Sequence, residues 1–246
     1  MQRYKGIIEY YGANYSGMQK QEGLQTIQGV LEDALQKFTA GETKVIDYCG
    51  RTDAGVHAFG QVIHFDILNR NENQILKGLN YFLVNSGVII KSIEKVDAAF
   101  NSRFSCKGRE YKYYIYNSPF KSPIMEGRTH HVSHKLNIEL MQQATRLLTG
   151  EHNFSSLRGK HCQALSPIKT VDFINIKRIT GEIIEIHIGA KSFLYKMVRN
   201  ITGLLISIGC EKLHISDIQR ILEAQNISAL PYTAPACGLY FWRAVY

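Results

Sequence analysis

The stretch YCGRTDAGVHAFGQVIHFD, residues 48–66, sets an arginine and an aspartate two residues apart, Arg51 and Asp53, in a segment with turn chemistry. TDAG is also what an ordinary tight turn needs, since Asp caps backbone amides and Gly accepts positive φ. Two features favour chemistry over a bare turn. A surface charge pair adds little to stability, and the turn runs straight into GQVIHFD, a strand that holds it rigidly as a reactive loop requires. His57, His64 and Asp66 are weaker candidates. On a strand, His64 and Asp66 share the face opposite Ile63 and Phe65, which gives them a solvent-facing or structural place.

A second constellation is RFSCKGREYKYYIYN, residues 103–117. Arg103, Lys107, Arg109 and Lys112 are interleaved with Phe104, Tyr111, Tyr113, Tyr114 and Tyr116, and Glu110 is the only acid. Basic residues among flat rings suit phosphate contacts and base stacking. Alternation also puts Tyr111, Tyr113 and Ile115 on one face, as a packed aromatic strand would. One tyrosine stacking on a base is compatible with the others being core. The third is SFLYKMVRNITG, residues 192–203, where Lys196 and Arg199 lie three apart and share a helix flank. A solvated basic flank is the ordinary account, but an arginine beside so apolar a helix can also approach a buried carboxylate.

The elements that must position these residues need a real core. The chain has 246 residues, 45% hydrophobic, enough for one large domain or two of ordinary size. No segment has the length and apolarity of a signal peptide or membrane span; the longest candidate, FLYKMVRNITGLLISIG, is interrupted by Lys196, Arg199 and Asn200. Five scattered cysteines form no zinc-type pair, and their odd number argues against a disulfide framework, so a cytoplasmic protein with reduced thiols is expected. The nine histidines give neither HExxH nor HxE with PCxxC, against a zinc hydrolase or zinc deaminase. The net charge of +8 is unevenly placed. Residues 1–104 hold 11 Lys/Arg and 11 Asp/Glu, whereas residues 105–246 hold 18 and 10. That excess is a weak pointer to a polyanionic partner.

The periodicity predicts a strand over 2–11, then a helix in TIQGVLEDALQKF capped by Thr26. Strands near 44–49 and 60–67, a helix over 72–83 and a strand in GVIIKSIEKV follow. The second half opens with the strand REYKYYIYN and a helix over 137–148 that buries Leu140, Met141, Ala144, Leu147 and Leu148 and ends at Gly150. Strands over 168–178 and 182–189, helices over 193–208 and 215–224, and a last strand, GLYFWRAVY, complete it. The pattern is α+β with largely antiparallel sheets, and it divides naturally into 1–104 and 105–246.

Taken together these stretches resemble the tRNA pseudouridine synthase A family. GRTDAGVHAFGQVIHFD matches its signature, and RFSCKGREYKYYIYN, GEHNFSSLR, CQALSPIKTV, SFLYKMVRNITG and APACGLYFWRAVY follow in the family's order, so the resemblance spans essentially the whole chain. Two departures are small: Asn153 stands where the family commonly has aspartate, and FNSRFSC replaces a version containing His-Ala. The resemblance implies two ferredoxin-like α+β domains sharing one continuous, largely antiparallel sheet, with an RNA-binding cleft between them. It implies Asp53 as the catalytic carboxylate and Arg51 as the residue that holds or replaces a flipped-out nucleotide. Tyr111 is then the residue stacked on the target uracil, Arg199 the partner that keeps Asp53 ionised, and Leu239 a further packing surface for the base. It also implies a homodimer acting on the tRNA anticodon stem-loop at positions 38 to 40.

That chemistry isomerises without gain or loss of atoms, so no cofactor or metal is expected. A carboxylate can stabilise or trap the cationic sugar left when the base departs. Two other readings compete. A non-catalytic tRNA-binding or chaperone module accounts for the charge and tyrosines but leaves Asp53 without a purpose. A nucleoside or RNA hydrolase usually brings two carboxylates, where here one dominates.

Overall fold

The computed structural model describes residues 1–41, 45–160 and 162–246. In chain order its elements are β1 (Gln2–Tyr10), α1 (Ile27–Phe38), β2 (Asp47–Tyr48), β3 (His57–Ile67), α2 (Glu72–Phe82), β4 (Val88–Val96), β5 (Gly108–Asn117), β6 (His130–Val132), α3 (Ile138–Thr145), β7 (Gly150–Asn153), β8 (Ile168–Thr180), β9 (Ile183–Ala190), α4 (Met197–Gly209), α5 (Asp217–Glu223) and β10 (Leu239–Val245). They form two compact units: residues 1–107 with 240–246, and residues 108–239. The class is α+β, as the sequence pattern predicts. Most pairings are antiparallel; β3 with β10 and β5 with β6 are parallel. The start of the expected 44–49 strand, residue 44, lies outside the described residues, and the pairing there is limited to β2.

In the first unit the strands run β4–β1–β3–β10, with β2 added along β3. β1 buries alternate residues, Tyr4, Ile8 and Tyr10 among them, as one face of a pleated strand must. α1 begins where Thr26 accepts a hydrogen bond from the Gly29 amide, and it buries Ile27, Leu31, Ala34 and Leu35 at helical spacing. α2 starts at Asn71 in the same manner, with Ile75 and Leu79 inward against β4. β3 is buried along almost its whole length, which corrects the solvent-facing option for His64. Its ring is 3% exposed, with Nδ1 2.9 Å from the Ser102 hydroxyl and Nε2 3.6 Å from Asp47. Asp66 is structural too, clasped by two bonds from Arg3 at 2.9 and 2.7 Å.

In the second unit the order is β5–β9–β8–β7, with β6 along β5. Tyr111, Tyr113, Ile115, Ile184, Ile186, Ile188, Ile174 and Ile176 make the inner layer. α4 is apolar and buried on every side, which marks it as the central helix. Its polar Asn200 is satisfied: the amide donates to the Leu157 carbonyl at 2.8 Å and its oxygen accepts from Thr233 at 2.7 Å. The helix starts at Met197, four residues later than the periodicity predicts, because Lys196 is left-handed with φ of 60°. Lys196 and Arg199 therefore do not share a helix flank. α3 is also shorter than expected, which leaves Leu147 41% exposed.

Burial makes acid a destabilising agent. It pushes the His130 imidazole down to about 4 and lowers His64 from its ordinary value. Nδ1 of His130 has no hydrogen-bond partner among the described residues. Unfolded chains take up these protons near pH 6.5, so the unfolded state binds more protons and stability falls as pH drops from there towards about 4. The urea midpoint is expected to decrease between about pH 7 and about pH 5, less steeply in His130→Leu; a pH-independent midpoint contradicts this.

Candidate active site

The first unit contributes the turn with Arg51 and Asp53. Val56 N–H donates to the Asp53 carbonyl at 3.2 Å, and Gly55 takes φ of 79°, which an L side chain adopts reluctantly. Arg51 is exposed, Thr52 buried and Asp53 half-buried, so one short turn anchors its middle and presents both charged side chains. Burial raises the Tyr48 phenol above its ordinary value, opposed by a hydrogen bond with Arg51.

What holds the turn is a second loop, residues 11–18, which no motif announces. Met18 N–H donates to the Thr52 carbonyl at 3.1 Å, and Gly55 N–H to the Tyr15 carbonyl at 3.3 Å. Gly17 has φ of 95°, and a Cβ there would stand 2.7 Å from the Thr52 oxygen. A Cβ on Gly12 would overlap the Val56 carbonyl outright, so backbone approaches backbone at both points. Gly12 N–H donates to His57 Nδ1 at 2.9 Å, which puts the ring proton of neutral His57 on Nε2. The His57 ring lies stacked against Tyr11 and Tyr240, with centroids 4.9 and 4.6 Å away. His57 is thus a buried brace.

Tyr10 adds the innermost support. Its hydroxyl is 2.8 Å from Thr52 Oγ1, one residue from Asp53, and burial pushes the phenol up to about 12, so it stays protonated. Removing that hydroxyl strands a buried Thr52 oxygen. Tyr10→Phe is expected to lose about 1 kcal/mol of stability and to lower turnover more than substrate affinity, as kcat and KM measured together will show. Equal kcat in the two proteins contradicts a bracing role.

The other three expected residues lie in the second unit. Tyr111 sits on β5 opposite Ile188 and is 8% exposed, its ring edge-on to Phe193 with centroids 5.2 Å apart. Tyr113, two residues on, is fully buried and donates its hydroxyl to the Pro235 carbonyl at 2.8 Å. Arg199 lies in the first turn of α4, half-buried. Its Nε donates to the Ala234 carbonyl at 2.7 Å and its own carbonyl accepts from Ala234 N–H at 3.1 Å. The segment after α5 thereby fixes the root of the guanidinium. Leu239, 6% exposed, follows Gly238, where a Cβ would meet the Tyr113 ring at 2.6 Å.

Sequence reasoning placed Arg51 and Asp53 on one turn, and the structure shows them there. It missed Tyr10, Gly12 and Thr52 altogether, and weighed His57 as a reactive group. The pairs involved are 42 and 45 residues apart in sequence, beyond the reach of local periodicity. The two glycines of YYGANYSG were the only available signal.

The family described as tRNA pseudouridine synthase matches residues 7–105 and 144–246. Arg51, Asp53, Arg199 and Leu239 fall inside those segments, and Tyr111 falls between them. Over 99% of this chain and 100% of each relative, it is 43% identical to the tRNA pseudouridine synthase A of Ehrlichia chaffeensis and 40% identical to that of Anaplasma phagocytophilum. Among solved structures, the archaeal box H/ACA sRNP Nop10-Cbf5 complex is similar at a TM-score of 0.36 and 13% identity, covering 81% of this chain and 45% of that one, too loose a likeness to carry any assignment. A match of this extent leaves one conclusion: the chain belongs to the tRNA pseudouridine synthase family.

Proposed function

We propose that the chain makes pseudouridine at positions 38, 39 and 40 of the tRNA anticodon stem-loop, with Asp53 as its catalytic carboxylate. The observation that carries this is the braced turn, which sets a half-buried aspartate beside an exposed arginine with its backbone fixed from a second loop. The reaction breaks the bond from uracil N1 to ribose C1′ and joins C1′ to C5; C5 gives up its proton and N1 gains one. Asp53 either attacks C1′ or removes a ribose proton to give a glycal, and both routes start from the ionised carboxylate.

The target base must leave its stack, which costs a few kcal/mol. Stacking on an aromatic ring, the role proposed for Tyr111, returns about 1–3 kcal/mol. Leu239 is assigned to packing against the same base, Arg51 to holding the RNA at the vacated position, and Arg199 to keeping Asp53 ionised. The cationic excess of residues 105–246 suits a phosphate backbone. A homodimer in the cytoplasm completes the reading. No helix among the described residues is long and apolar enough to cross a membrane.

Transcripts tritiated at uracil C5 test it, because bond formation at C5 sends that hydrogen to water. Release is expected from transcripts with uridine at any one of the three positions. Release from a transcript with none of them contradicts the positional assignment, and absence of release throughout contradicts the reading as a whole.

A further inference from the structure

Phe104 is 80% exposed, yet the turn that carries it is held from several sides. The Asn101 side-chain oxygen accepts from the amides of Arg103 and Phe104 at 2.9 and 3.0 Å. Asn101 and Ser105 exchange two more bonds, amide to hydroxyl at 3.0 Å and amide to carbonyl at 2.9 Å. Ser102 is fully buried: its hydroxyl lies against His64 Nδ1, and its carbonyl accepts from the Tyr246 hydroxyl at 2.6 Å. Upstream, Arg3 donates to the carbonyls of Ala98 and Phe100 at 2.7 and 2.9 Å. The ring is thus held in water by a built turn rather than by packing.

Its surroundings say what it contacts. The Arg103 guanidinium lies 5.5 Å from the Phe104 ring centroid. Arg103 also acts electrostatically on the Tyr48 phenol, the same group that hydrogen-bonds with Arg51. β2, which carries Tyr48, pairs with β3 at His64 and Ile63, and His64 Nδ1 lies 2.9 Å from the Ser102 hydroxyl, so Tyr48 and the turn of Arg103 and Phe104 belong to one neighbourhood of the first unit. Paired Arg and aromatic groups of this kind suit single-stranded nucleic acid, the ring for a base and the guanidinium for phosphate.

We infer that Arg103 and Phe104 form a further RNA-contact site, in which the Phe104 ring stacks on an unpaired base of the tRNA near the target uridine and Arg103 meets the adjoining phosphate. The inference rests on the tRNA reading above. Because the site touches RNA beside the reacting nucleotide, it acts on affinity and leaves the bond-making step alone.

The test measures tRNA affinity by fluorescence anisotropy across a salt series, with tritium release followed in the same preparations. Phe104→Ala is expected to weaken binding roughly tenfold while keeping its thermal midpoint, since little packing is lost. Phe104→Trp restores affinity to near the wild-type value. Arg103→Ala weakens binding and reduces the slope of log affinity on log salt by about one. If the wild-type protein binds and releases tritium but Phe104→Ala binds equally well, the site is overturned and the tRNA reading stands. If the wild type neither binds nor releases, both fall. A Phe104→Ala protein whose sedimentation changes while its tRNA affinity does not assigns the ring to a protein contact, and that too overturns the site.

Discussion

Asp53→Ala is expected to release no measurable tritium from C5-labelled tRNA, a loss of about a thousandfold or more, while its affinity for tRNA stays close to that of the wild-type protein. Single preorganised electrostatic groups are worth about 10²–10³ in rate, and a group that also forms or breaks a covalent bond is worth more. The bonds that close the turn and tie it to residues 11–18 run through backbone atoms of Thr52, Asp53, Gly55 and Val56, and alanine keeps all of them. Asp53→Asn, which keeps the size and removes the charge, is expected to be equally inactive. Release that persists in either variant sinks the assignment of Asp53. Lost affinity alongside lost release points instead to a collapsed turn, which a lowered thermal midpoint would show.

Phe241→Ala carries the largest expected effect on stability, about 3–5 kcal/mol, read as a shift of the urea midpoint. Phe241 is completely buried and lies opposite Ala58 in the parallel pairing of β10 with β3. The interior there has little room to close over the vacancy, because Gly60 already lets the Trp242 carbonyl approach to 2.6 Å of where its Cβ would stand. Loss of β10 also reaches the site. Tyr240, the preceding residue, stacks on His57 and on Phe59, and His57 is bonded to the loop that braces Asp53. Activity is therefore expected to decline at temperatures where most of the protein is still folded. A midpoint shift worth less than about 1 kcal/mol contradicts this placement of Phe241.

Local signals read well from the sequence wherever one residue type does one physical thing. Thr26 caps α1, the spacing of Ile27, Leu31 and Leu35 gives its buried face, and alternation gives β1 and β5. The start of α4 was not legible, because a left-handed Lys196 has none of the marks that glycine or asparagine would give. β6 and β7 span three and four residues, too few to display a period. The turn holding Arg51 and Asp53 was legible because its glycine and its charges lie within five residues. Its brace was not, since Tyr10 and Thr52 meet only after folding. Leu239 stood out by resemblance alone, and pattern left Tyr111 and Arg199 with two readings each; a tyrosine in an aromatic strand looks the same whether it meets a base or the core.

The return of residues 240–246 to the first unit fixes an order of events during synthesis. By the time residue 107 has been made, every other part of that unit exists, including Asp53, Tyr10 and the loop that braces them. The strand beside β3 does not, and Tyr240 is absent from the face of His57. A nascent chain still on the ribosome therefore carries its aspartate turn on an unfinished sheet while more than half of the polypeptide is being translated. Domains that are contiguous in sequence commonly fold as they emerge; this one closes only after the second unit has been made. The sheet beside His57 thus closes only when β10 has been made.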